Sequence, residues 1–133
     1  MALQYSVTVR NAKLDAVETA TGASAILKIR TGSPPANCAA ADSGTVLATL
    51  NLPADWMAAA SGGTKGIAGT WTDASADNTG TAGHFRIYDS TDTTCHIQGT
   101  VGTSATDMIV DNTSFASGQT FNVTAFTLTA GNA

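Results

Sequence analysis

The stretch Gly83–Gly99, "GHFRIYDSTDTTCHIQG", holds both histidines of the chain, one of its two cysteines and an arginine. It reads either as a reactive or metal-binding cluster or as a β-hairpin with a polar outer face. The apolar positions favour the hairpin. Phe85, Ile87, Cys95, Ile97 and Val101 share one parity, and residues of one parity share one face of a strand. His84, Arg86, Tyr88, His96, Gln98 and Thr100 then face the other way. Between the two arms, "DSTDT" supplies Asp, Ser and Thr, side chains that bond their own backbone in turns.

Parity also predicts a register. Phe85 falls opposite Ile97, Ile87 opposite Cys95, Arg86 opposite His96 and His84 opposite Gln98. The two histidines become diagonal neighbours, about 7–8 Å apart at Cβ. The nearest side chain between them is Arg86, a permanent cation that repels a divalent ion. Cys95 points to the opposite face from His96, whereas a Cys–His nucleophile needs the two in contact.

Other chemistries fare no better. The serines of "SPP", "ASGG" and "SADN" sit in loop sequence without a nucleophile elbow. A pair of hydrolytic carboxylates would have to come from Asp73, Asp77, Asp89, Asp92, Asp107 or Asp111, all at strand ends or in turns. The glycines of "SGGTKGIAG" precede a strand rather than a helix, which excludes a phosphate loop. "DSTDTT" lacks the spaced acidic run of a calcium loop. No catalytic residue, no cofactor site and no metal ligand is expected.

Outward from the hairpin, the chain reads as short strands between turn signals. "SAILKIRTG" (24–32) carries Leu27 and Ile29 on one face, and "SPPANCAAADSG" (33–44) is a loop, since Pro34 and Pro35 cannot continue a ladder. "TVLATLNL" (45–52) places Val46, Ala48, Leu50 and Leu52 at one parity, and Pro53 ends it. "ADWMAAASGG" reads as a turn or cap anchored by Trp56 and Met57. "KGIAGTWTD" reads as a strand with Ile67 and Trp71, "TSATDMIVDN" as one short strand, and "GQTFNVTAFTLTAG" as a last strand covered on both faces. Ahead of all these, Ser6 is an N-cap and Gly22 a stop for a short helix, with Val7, Leu14, Val17 and Thr21 on its stripe and Arg10, Lys13, Asp15 and Glu18 outside it. The β-favouring "VTV" (7–9) allows that helix to begin as late as Asn11. One helix and about seven strands predict a single mainly β domain, an antiparallel β-sandwich or jelly-roll-like barrel.

The 133 residues fit one domain without internal repeat or linker. Alanine (24) and threonine (22) dominate, which suits thin strands and many turns. Net charge is -4 and the six Lys and Arg are scattered, so the basic footprint of a nucleic-acid binder is missing. Neither a basic amphipathic stretch nor eighteen unbroken apolar residues suggest a membrane partner. "MALQYSVTVRNAK" carries no apolar run of signal-peptide type, and synthesis in the cytoplasm is expected. Residues 1–9 form a candidate N-terminal arm, able to add a strand to a neighbour.

Five aromatic and sulfur positions stand out. Cys38 and Cys95, without a CxxC motif, are either a disulfide pair in a protein that ends outside the cell or two small buried thiols. Trp56 and Trp71 read as core or subunit-interface anchors, with an aromatic platform for sugar as the rival. Tyr5, on the arm, is a further candidate interface anchor. "NTS" (112–114) and "NVT" (122–124) match the glycosylation pattern, which counts only on a secretory route.

The stretches "LKIRTGSPPANCAAADSGTVLATLNLPADWMAAASGG" (27–63), "GTAGHFRIYDSTDTTCHIQGTV" (80–101) and "FTLTAGNA" (126–133) resemble small virion structural proteins of tailed bacteriophages. The likeness runs from about Leu14 to the end and is one of overall texture, so it defines no functional residue. It implies a non-enzymatic particle protein, a capsid decoration or cement protein that binds the major capsid protein. It also implies a homo-oligomer, a dimer or trimer seated at a symmetry axis. A small tail, fibre or baseplate component is the alternative within that class. A carbohydrate-binding module using Trp56 and Trp71 is the alternative outside it.

Overall fold

The computed structural model describes residues 3–131. Helix α1 (Val7–Thr21) comes first. The Ser6 hydroxyl oxygen accepts from the Val9 N–H at 3.2 Å, and Gly22 ends the helix at φ 94°, a conformation that favours glycine. The cap outweighs the β preference of Val7–Val9, so the late start near Asn11 is corrected to Val7. The arm is corrected with it: residues 7–9 are the first helical turn, and residues 1–2 lie outside the described residues.

The helix docks by a face that takes in part of its apolar stripe and extends past it to polar residues. Leu14 and Thr21 are buried, but Val7 is exposed. Asn11, Asp15 and Glu18 follow one another along a single face and accept from the backbone of an irregular segment. Their donors are the N–H groups of Gly63 (2.9 Å), Ala60 (3.0 Å) and Met57 (3.1 Å). Lys65 lies buried below them and donates to Asp15 at 2.7 Å and to the Ala58 carbonyl at 2.9 Å, with Glu18 at 3.0 Å. Polar side chains thus do for α1 what an apolar stripe does for most surface helices.

The strands among the described residues are β1 (Ile26–Thr31), β2 (Val46–Asn51), β3 (Thr64–Lys65), β4 (Thr72–Asp73), β5 (Gly80–Tyr88), β6 (Cys95–Gly102), β7 (Met108–Val110), β8 (Ser114–Phe115), β9 (Phe121–Phe126) and β10 (Leu128–Thr129). One sheet runs β2-β1-β5-β6-β7-β9-β4 with β8 on β5, and β10 pairs with β3. The two ends of the long sheet meet, because the Thr49 N–H of β2 donates to the Asp73 carboxylate of β4 at 3.2 Å. The result is a mostly antiparallel, nearly closed barrel-like sandwich, mainly β with one helix.

Its interior is aromatic. The Trp56 and Trp71 rings lie 6.0 Å apart, Trp71 and Phe126 5.8 Å, and Phe85 and Phe126 5.3 Å. Both indole N–H groups are satisfied, Trp56 by the Gly22 carbonyl (2.9 Å) and Trp71 by the Trp56 carbonyl (3.1 Å).

Three expected elements differ. "KGIAGTWTD" is two short pieces, β3 and β4, because Gly66 and Gly69 interrupt it, and Gly69 has φ 69°. The last strand divides at Thr127 into β9 and β10, with its buried parity switching between Val123 and Phe126. β6 and β7 pair parallel over two residue pairs. That tight connection is held by Asp107, whose carboxylate accepts from the Thr100 N–H (2.9 Å) and hydroxyl (3.0 Å).

Candidate functional site

β5 and β6 form the expected hairpin, in a shifted register. Phe85 pairs with Gly99, Arg86 with Gln98, Ile87 with Ile97, His84 with Thr100 and Tyr88 with Cys95. His96 is therefore an extra residue, a bulge between the Ile97 and Cys95 pairings. It carries Cys95 off the core face and onto the face of Arg86 and Tyr88. The two histidines are not diagonal neighbours: His84 is fully buried and His96 is exposed.

The outer face of this hairpin is not wet. His84, Arg86 and Tyr88 are as buried as Phe85 and Ile87. They are covered by residues 33–44, which cross the sheet as a strap between β1 and β2. The strap carries no ladder of its own and is held from below by side chains. His84 Nδ1 lies 2.8 Å from the Gly32 carbonyl; a carbonyl only accepts, so Nδ1 carries the proton. Gln98 donates to the Pro35 carbonyl at 2.7 Å. Arg86 donates to the carbonyls of Asn37 (3.3 Å), Cys38 (2.8 Å) and Ala40 (3.2 Å) and to the Asp42 carboxylate.

Asp42 is the centre of this cluster. Besides Arg86 it receives Arg30 at 3.1 Å and the Tyr88 hydroxyl at 2.6 Å. Burial alone would raise its pKa, but the Tyr88 and Arg86 hydrogen bonds and the two guanidiniums hold it below the usual carboxylate value. Burial and the bond to Asp42 push Tyr88 up to about 12. For Arg86, burial opposes the charge and the Asp42 bond restores it, leaving the guanidinium more firmly protonated than usual. An unpaired buried arginine would be expensive; here its charge holds down a loop.

Beside this cluster the two cysteines meet. Cys38 in the strap and Cys95 at the head of β6 are free thiols, half-buried, and line one cleft of about 360 Å³ with Asp42, Arg86 and Tyr88. The Cys95 thiol donates to the Ile97 carbonyl at 3.4 Å, and burial, with the Cys38 thiol nearby, pushes Cys95 up to about 11. Sequence reasoning left these residues as either a disulfide pair or two small buried thiols, and placed Cys95 on the wrong face.

The remaining candidate residues separate into two groups. Trp56 and Trp71 are 0% and 1% exposed, so they are core residues, neither a sugar platform nor anchors on the surface. Tyr5 is exposed, under the Lys13 ammonium 4.5 Å from its ring centre. Among the described residues, no three His, Cys, Asp or Glu side chains are grouped to hold a metal ion, and no helix is long and apolar enough to cross a membrane. Compared with protein-family models, with curated proteins and with solved structures, the chain matches none.

Proposed function

We propose that the chain is a non-enzymatic structural protein of a bacteriophage particle, a decoration or cement protein that binds the major capsid protein and stabilises the outer shell. The observation that carries this reading is the surface at the N-terminal end. Leu3 is 72% exposed, and Tyr5, Val7 and Val9 are exposed within the same short segment. Clustered apolar side chains on an otherwise polar surface suit a contact with another protein. The resemblance of residues 27–63 and 80–101 to small phage virion proteins supplies the setting. The body supports the reading too, because its buried ionic groups are bonded to backbone and to one another, as a rigid building block requires. Copies of the chain assemble as a dimer or trimer on the shell in this reading.

Quantitative mass spectrometry of purified particles, set against the major capsid protein, tests it. Copy numbers in the hundreds support a shell decoration protein. A few dozen or fewer would move the protein to the tail or baseplate, and none would end the virion reading. The double variant Leu3→Asp, Val9→Asp should melt like the parent and lose binding to shells. Unchanged binding would remove the N-terminal surface from the contact.

A further inference from the structure

The sheet does not hold the 33–44 strap through any ladder; side chains do, and a pair of thiols between strap and sheet is able to add a covalent link. The bulge at His96 brings Cys95 under the strap, on the face of Arg86 and Tyr88. Cys38 stands above it, fixed by the bond from Arg86 to its carbonyl at 2.8 Å. Both thiols line the same cleft, and both are open enough to meet a small reagent from it. We infer that Cys38 and Cys95 form a redox latch, in which an intramolecular disulfide locks the strap onto the sheet and reduction leaves the strap held by its hydrogen bonds alone.

The oxidant is a small-molecule disulfide, with oxidised glutathione as the probe. Cys38 loses its proton and attacks one glutathione sulfur; that S–S bond breaks and one glutathione thiolate leaves. Cys95 then loses its proton and attacks the Cys38 sulfur of the mixed disulfide, releasing the second glutathione. Two protein thiols have lost two electrons and two protons, and one disulfide has become two thiols. Capping Cys38 also removes a partner that raises Cys95, while Arg86 nearby favours its thiolate. The residues are 57 apart in sequence. Closing a loop of that length lowers the unfolding equilibrium constant by about 10³-fold in the chain-entropy model. This inference stands on the geometry of the strap and does not depend on the virion reading.

The test is to unfold the full chain and refold it in a glutathione redox buffer, so that burial cannot block exchange. The expected product is a monomer lighter by two hydrogens, with both thiols closed to maleimide. Its strap amides should exchange more slowly than those of the reduced protein. Its urea midpoint should rise in keeping with the predicted fold-change and fall back on reduction. The double variant Cys38→Ser, Cys95→Ser should fold and show no redox response. Glutathione adducts, interchain dimers or persistent free thiols would overturn the pairing. A disulfide that leaves strap exchange unchanged would overturn the latch.

Discussion

Replacing Arg86 by Met tests whether a buried charge organises the outer face of the hairpin. The side chain is 1% exposed and makes four links to the strap, three of them to backbone carbonyls. Methionine replaces the aliphatic stem of arginine and suits a buried site, so the contacts of that stem survive. The loss is the set of acceptors. Asp42 reaches water and keeps Arg30 and Tyr88. The Asn37, Cys38 and Ala40 carbonyls lose their donor, at about 1 kcal/mol each for groups that water partly reaches. Relief of the arginine's own desolvation offsets part of that, and lost attraction to Asp42 adds to it. The net expectation is about 3 kcal/mol of destabilisation, or about 10 °C in melting temperature for a domain of this size. Thermal and urea unfolding give the number. Hydrogen exchange gives the location: amides of residues 33–44 should lose protection while those of β1 and β5 keep theirs. A variant as stable as the parent, with a protected strap, would refute the reasoning, since the strap would then be held by its own turns.

Further perturbations probe the other links. Lys65→Met removes the cation between Asp15 and Glu18; the melting temperature should drop by several degrees and α1 amides should exchange faster than those of β5, while a protected helix would show that its carboxylate-to-backbone bonds suffice. On the acid side, Asp42 and Asp15 both have folded pKa values below 3.8, so their stabilisation is complete above that value and disappears as pH falls through the folded values. On the alkaline side, Tyr88 is raised from 10.0 to about 12, so its contribution is full below pH 10.0 and is lost as pH climbs towards 12. Urea midpoints of the parent and of Tyr88→Phe, measured across both limbs, check this, and a parent midpoint that stays level from pH 10.0 to 12 would contradict it. Gly99→Ala would put a Cβ 2.7 Å from Asp107 Oδ2 and 2.9 Å from Phe85 Cε1. The expected cost is about 1–3 kcal/mol by overpacking, and a neutral result in chemical denaturation would mean the β6–β7 connection yields more readily than its hydrogen bonds suggest.

Much of the fold is legible because local signals agree with one another. Ser6 and Gly22 bound the helix as helix caps should, and they override "VTV", whose β preference is weaker than a satisfied cap. Leu27 and Ile29 pair with Leu50 and Ala48 as their parity requires. What failed was the use of apolarity alone to choose faces. Asp15 and Glu18 look like solvent-facing residues of α1, yet they are its docking surface, because the segment from Met57 to Gly63 offers unpaired N–H groups instead of apolar side chains. A helix pattern records only its own polarity. The backbone donors it must satisfy lie 39 to 52 residues away, and no periodicity reports them.

The candidate site was misread for a related reason, and the error began with one residue. Two-residue periodicity assigns Cys95 and Ile97 to one face, which holds only for an unbroken strand. With His96 bulged, Cys95 pairs with Tyr88 and moves to the face of Arg86. That single displacement turns an inert core thiol into one that meets Cys38. The proline-rich loop adds the second hidden fact. Pro34 and Pro35 announce that residues 33–44 leave the sheet, but not that they fold back over it. The clue was available in composition: Arg86 and Tyr88 alternate with Phe85 and Ile87 on a strand that proves to be central, where both faces must be covered. A central strand with a charged face needs a cover rich in acceptors, and "PPANCAAAD" provides one carboxylate and a run of small residues whose carbonyls can approach a guanidinium. Fold and site are thus one problem here, since the loop that could not be placed as structure is what makes the arginine affordable.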